Sequence, residues 1–161
     1  MQYFPLKDDS DKSQIIKEWQ GRGLKISGLS HLQSELTCDG TWYAVKKDGL
    51  SDAIFDVRQA PGYLKNMRVL FAPDISFDEN NPEYEEAEPI VEKMVSILAY
   101  IFTYYLRDIE DGQNSHFKIY SDHDEARLIF YEFCKFLKHE YPQRYNLKIY
   151  GKWIEIHLTG E

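Results

Sequence analysis

The chain has 161 residues, 43% of them hydrophobic and 15% aromatic, which fills the core of one domain spanning residues 1–161 and is too little for two ordinary ones. Its 27 acidic side chains outnumber 19 basic ones, and a net charge of −8 repels nucleic acid and anionic membranes on average. Cys38 and Cys134 lack a CxxC spacing or a histidine at ligand spacing, which argues against a disulfide framework and a metal site and fits a reducing, cytoplasmic setting.

The opening MQYFPLKDDSDKSQ has no basic region followed by an apolar run, so no signal peptide is expected. Residues 3–6 read as a short strand. Asp9 or Ser10 is then expected to cap a helix with Ile15, Ile16 and Trp19 on its apolar face and Gly21 as its stop. GLSHLQSEL suggests a further short helix, and the apolar runs around Asp48-Gly49 a hairpin, because both turn residues tolerate positive φ. After the Ala60-Pro61-Gly62 break, MRVLFAP reads as a strand buried on both faces and ended by Pro73.

From Asp74 to Glu92 the chain carries eight carboxylates and no Lys or Arg. Pro89 suits the first turn of the next helix, with Glu85, Glu86 and Glu88 near its positive end. That helix holds the most apolar stretch, Ile90 to Leu106, which is short for a bilayer span of about 20 residues and carries Glu92 and Lys93. It reads as a buried helix. HFKIYS is a strand, and DHDEARLIFYEFCKFLKHEY a helix with Ala126, Phe130, Phe133, Leu137 and Tyr141 on one side. NLKIYGKWIEIHL is the last strand or strand pair, where a bulge at Gly151 would explain the change of apolar phase between Ile149 and Ile154.

The acids of YSDHDEARLIF are accounted for by helix capping. Asp122 is the cap, Glu125 completes a capping box and Asp124 lies in the first turn, so His123 gains no partners for a metal. Cys134 reads as a small, partly buried residue of the same helix, and Cys38 has no group placed to activate it. His31, His116, His139 and His157 are scattered, with His157 facing solvent from an alternating strand. Most aromatic residues are expected in the core, although Trp42, Tyr43, Phe55, Tyr104, Tyr105, Phe117, Tyr120, Phe130, Tyr131, Tyr150 and Trp153 offer enough ring surface to line a cleft.

The order strand, helix, short helix, hairpin, strand, long helix, strand, helix, strand resembles the GNAT superfamily of acyl-CoA-dependent N-acyltransferases over nearly the whole chain. GTWYAVKKDGLSDAIFDVR is similar to that family's second and third strands, MRVLFAP to its fourth, and FKIYSDHDEARLIFYEF to its fifth strand and following helix. The resemblance implies an α/β (α+β) fold with a mixed, mostly antiparallel central sheet flanked by helices. It also implies transfer of an acyl group from acetyl-CoA or another acyl-CoA to a small amine or a protein. By the same resemblance Phe71, Ala72 and Pro73 lie where pantetheine pairs with the fourth strand. The tyrosine that returns a proton to the departing thiolate falls nearest Phe130, with Tyr131 one residue away.

The chain departs from the family pattern after Pro73, where Asp74 to Glu79 replace the glycine-rich pyrophosphate loop and no glycine occurs between Gly62 and Gly112. Two functions follow. One is an atypical acyl-CoA-dependent N-acyltransferase. The other is a non-catalytic binding module of immunity or regulatory type, whose segment 74–92, with Glu83, Glu85, Glu86 and Glu88, meets a basic protein partner. Neither uses a metal, nucleic acid or a membrane.

Overall fold

In a computed structural model describing residues 2–37, 42–60, 64–75, 88–110, 116–121 and 126–158, strand β1 (Gln2–Pro5) leads into helix α1 (Asp9–Gly21). The cap is Asp8, not Asp9 or Ser10. Asp8 has extended backbone and accepts the Asp11 amide hydrogen at 2.9 Å, which leaves Asp9 and Asp11 in the first turn where the helix dipole favours them. The helix stops at Gly21, and Gly23 at φ +100° redirects the chain.

Helix α2 (Ile26–Thr37) is longer than GLSHLQSEL suggests and buries Leu32 and Leu36. Beneath it the Trp42 indole donates to the Glu35 carbonyl at 3.1 Å. Strands β2 (Trp42–Lys47) and β3 (Leu50–Ala60) form the expected hairpin, with Asp48 and Gly49 at φ 54° and 80°. Then come β4 (Leu64–Phe71), helix α3 (Glu88–Glu110) with Pro89 in its first turn, and β5 (His116–Ser121). Helix α4 (Ala126–Glu140), β6 (Tyr145–Tyr150) and β7 (Trp153–Leu158) complete the described elements. The capping box at residues 122–125 lies outside the described residues.

The strands form one sheet in the order β1-β2-β3-β4-β5-β7-β6, antiparallel except for the β4–β5 pair. This is the mixed, mostly antiparallel sheet flanked by helices that the resemblance implies. A parallel pair requires a crossover, and α3 supplies it.

Two expectations are corrected. β4 is fully buried on one face only: Met67 and Val69 are buried, whereas Arg68 and Leu70 on the opposite face are half-covered. The phase change near Gly151 is a hairpin turn, not a bulge. Gly151 at φ 55° reverses the chain so that Tyr150 pairs with Trp153 and Ile149 with Ile154, which puts the aliphatic residues Leu147, Ile149, Ile154 and Ile156 on one face.

Register assigns the two sheet faces. Ile149, Ile154, Ile119 and Met67 are successive cross-strand partners, and Tyr145 on the same side of β6 meets Phe102 of α3 edge-on at 5.2 Å. Phe102 also meets Phe133 of α4, so α3 and α4 cover this face. Arg68 points the other way, to Glu35 of α2 and to Asp56, and its guanidinium lies 5.3 Å from the Trp42 ring centre. Helices α1 and α2 therefore lie on the other face, over β2, β3 and β4.

Candidate functional site

The site sits at one end of the sheet, where antiparallel neighbours bring together the end of β4, the end of β5, the β2–β3 turn and the β6–β7 turn. Ligands of sheets with parallel strands lie outside the carboxyl ends of those strands. Among the described residues the β4–β5 ladder reaches Val69 with Ser121, and the Ser121 amide donates to the Lys152 carbonyl in the β6–β7 turn. β4 runs on with β3 to Phe71, and the Ala72 amide donates to the Asp52 carbonyl at 2.9 Å.

At the end of β4 lies an apolar cleft of about 190 Å³ between α1, α2 and β4, lined by Trp19, Leu24, His31, Leu70, Phe71 and Pro73. Two of the three residues expected to contact pantetheine, Phe71 and Pro73, line it, and the third, Ala72, is buried between them. His31, which spacing left unassigned, is exposed at its rim.

A charged cluster fastens this end. The Arg22 guanidinium, 12% exposed, donates to Glu18, to the Ser51 carbonyl, to Asp52 and to Asp74 at 2.8 to 3.0 Å. Burial alone would lower the Arg22 pKa, but its hydrogen bonds to the carboxylates of Asp52, Glu18 and Asp74 carry it above the ordinary arginine value, so it stays cationic. The other oxygen of Asp52 meets Lys93 of α3 at 3.1 Å. One buried carboxylate therefore joins α1, β3 and α3, while Asp74 ties in the chain leaving β4. Periodicity carried the missed signal: Asp52, Ile54 and Asp56 share one face of β3, and both acids stand where apolar residues would ordinarily be buried.

A larger cleft of about 420 Å³ opens between the β2–β3 turn and α3, lined by Lys47, Asp48, Asp52, Glu92, Lys93 and other residues. Its lining mixes both charge signs, and two of its charged groups, Asp52 and Lys93, are already bonded to each other. The smaller cleft at the end of β4 is the more apolar of the two.

The remaining sequence candidates are dispersed. Phe130 is fully buried, while Tyr131 is 58% exposed on α4 with the Lys135 ammonium 5.3 Å from its ring centre. Cys134 is buried, and burial pushes its thiol up to about 11. Glu88 is exposed at the start of α3, whereas Glu83, Glu85, Glu86 and Cys38 lie outside the described residues. Among the described residues no group of three or more His, Cys, Asp or Glu could hold a metal, and no helix is long and apolar enough to cross a membrane.

No family model and no curated protein matches the chain. It is similar to the crystal structure of Tetrahymena GCN5 at 11% identity, covering 99% of this chain and 97% of that one with a TM-score of 0.46. It is also similar to an acetyltransferase of the GNAT family from Staphylococcus aureus Mu50 at 7% identity, covering 98% of this chain and 100% of that one with a TM-score of 0.42.

Proposed function

We propose that the chain binds acetyl-CoA or another acyl-CoA at the end of β4 and transfers the acyl group to an amine. The observation that carries this reading is the narrow apolar cleft of about 190 Å³ at the end of β4, lined by Phe71 and Pro73. An extended arm rich in methylene groups suits such a place, because the cleft is narrow and mainly apolar. The arm would run past Phe71, Ala72 and Pro73. A neutral amine attacks the thioester carbonyl, the C–S bond breaks, the amine proton passes to a base and the thiolate takes a proton.

His31 is the base that the described residues bring to the cleft, where its imidazole stands at the rim and can accept a proton from the amine. Tyr131 is the proton donor that the resemblance nominates. His31→Ala and Tyr131→Phe separate these roles: a fall in kcat of about a hundredfold with KM held supports the assignment of that residue. An unchanged kcat removes it.

The deciding test is calorimetric titration of the purified protein with CoA and acetyl-CoA, with thermal shift alongside. Micromolar binding supports the reading and leads to an acceptor screen of amines. No binding at millimolar cofactor overturns it.

One observation favours a second reading, a module that docks on a basic protein: Glu88 and Glu92 stand exposed on the first turns of α3, at the end of the acidic segment. Replacing Glu83, Glu85, Glu86 and Glu88 together by Gln tests it. Partner affinity that falls at low salt and converges at high salt supports docking, and affinity unchanged at low salt excludes it.

A further inference from the structure

The sheet face formed by β5, β7 and β6 on the α1–α2 side is a second place where ligand chemistry is concentrated. Among the described residues no helix packs on this face, because α4 packs against β6 and β7 from the other one. Cross-strand register sets Tyr120, Trp153 and Tyr150 side by side in one row. All three are half-buried, and the Tyr120 and Trp153 rings lie 4.9 Å apart. The next row holds Lys118, Glu155 and Lys148, about 6.8 Å away along the strands.

The two rows are coupled. The Lys118 ammonium lies 5.4 Å from the Tyr150 ring centre and 5.9 Å from that of Trp153, and Lys148 lies 5.7 Å from Tyr150. The Tyr150 hydroxyl raises the Lys118 pKa, so this ammonium stays charged. Glu155 is the one acid in the rows. Burial alone would raise its pKa, but hydrogen bonds from His157 and Tyr150 and the charge of Lys118 hold it lower, and those groups occupy its oxygens. With Lys152 in the adjoining turn, three lysines stand against one carboxylate, on a chain whose net charge is −8.

We infer that this face binds a single nucleotide, its base stacked on the Tyr120–Trp153–Tyr150 row and its phosphate on Lys118 and Lys148. Aromatic side chains on an open sheet are stacking surfaces for bases, and lysine is a point-charge partner for phosphate. A nucleotide separates ring from phosphate by about the spacing of the two rows. A single nucleotide, not a strand, fits the charge, because the chain as a whole carries a net −8 and repels a polyanion on average. The inference is independent of the transferase reading, since it uses no residue of the β4 cleft.

Trp153 is the reporter, because Trp19 and Trp42 are buried. The experiment titrates the full chain with AMP at low salt, following tryptophan fluorescence and calorimetry, with inorganic phosphate, CoA and a short oligothymidylate against TMP as comparisons. The expected result is saturable quenching by AMP, weakened about tenfold in a Lys118→Gln/Lys148→Gln variant of unchanged Tm and tightened in Glu155→Gln. Phosphate alone should produce no quenching. Absence of quenching at millimolar AMP overturns the inference, and so does AMP binding that CoA displaces but the lysine variant leaves intact, which would place the nucleotide at the β4 cleft. Oligothymidylate binding far tighter than TMP would make a strand the occupant and overturn the single-nucleotide assignment. CoA binding measured in the lysine variant reports separately on the transferase reading.

Discussion

Arg22 is the side chain whose loss should cost most at the candidate site. Its planar fork serves Glu18, Asp52, Asp74 and a main-chain carbonyl at once, and the Asp52 side chain is only 4% exposed. Arg22→Ala leaves that carboxylate with Lys93 alone, at an expected cost of about 3 kcal/mol in urea unfolding. Arg22→Lys should recover less than half of this, because one ammonium cannot reproduce the fork. A loss under about 1 kcal/mol would mean that solvent already screens the cluster. Cys134 gives a pH dependence. Its thiol is raised by burial from 9.0 to about 11, so the unfolded chain ionises first and stability falls as pH rises through that window. In a Cys38→Ser background, labelling at pH 8 should be slow until the protein unfolds, and prompt labelling of the folded chain would contradict the burial. Residue roles were unevenly legible in the sequence. The capping signal near Asp9 was correct in kind but one residue late, since Asp8, Asp9, Ser10 and Asp11 all suit a cap and only backbone geometry selects among them.

Turns were legible at the scale of elements when glycine had to adopt positive φ, and misread when two turn types share that signal. Asp48-Gly49 was recognised as a hairpin, whereas Gly151 was assigned a bulge although its positive φ serves a turn. Periodicity alone cannot separate these, because both reverse the alternation of faces. The half-covered face of β4 was missed for a related reason: MRVLFAP is continuous in apolar character only when the guanidinium of Arg68 is discounted, and that residue marks the face turned toward α2. The hairpin turn supports a clean test. An added Cβ at Gly49 meets no atom within 4 Å, so Gly49→Ala should cost only the left-handed backbone strain, about 1 kcal/mol. Gly21→Ala, where a Cβ is equally unhindered and φ is not positive, should be neutral or slightly stabilising in the same denaturation series. Equal effects at the two positions would remove backbone strain as the explanation.

For the whole molecule, the order of elements was readable from pattern, but the order of strands was not, since no periodicity states that β7 enters between β5 and β6. That insertion places the β6–β7 turn beside the end of β5 and creates the aromatic row, which the sequence displayed only as three separate rings. It also gives one molecule two regions of opposite electrostatic character. At the β4 end the cations Arg22 and Lys93 are committed to carboxylates, and Asp74 stands at the exit of the strand, within a chain of net charge −8. The platform on β5, β7 and β6 carries lysines in excess. Salt should therefore act on the two ligands with opposite sign. Between about 0.02 M and 0.2 M NaCl, the Kd for CoA should fall or stay level as screening removes general repulsion, while the Kd for AMP should rise severalfold. The two titrations in one buffer series decide the matter. A steep loss of CoA affinity with salt would mean that a cationic cradle holds its phosphates, and the neutralised cluster around Arg22 would then not be the surface that CoA meets.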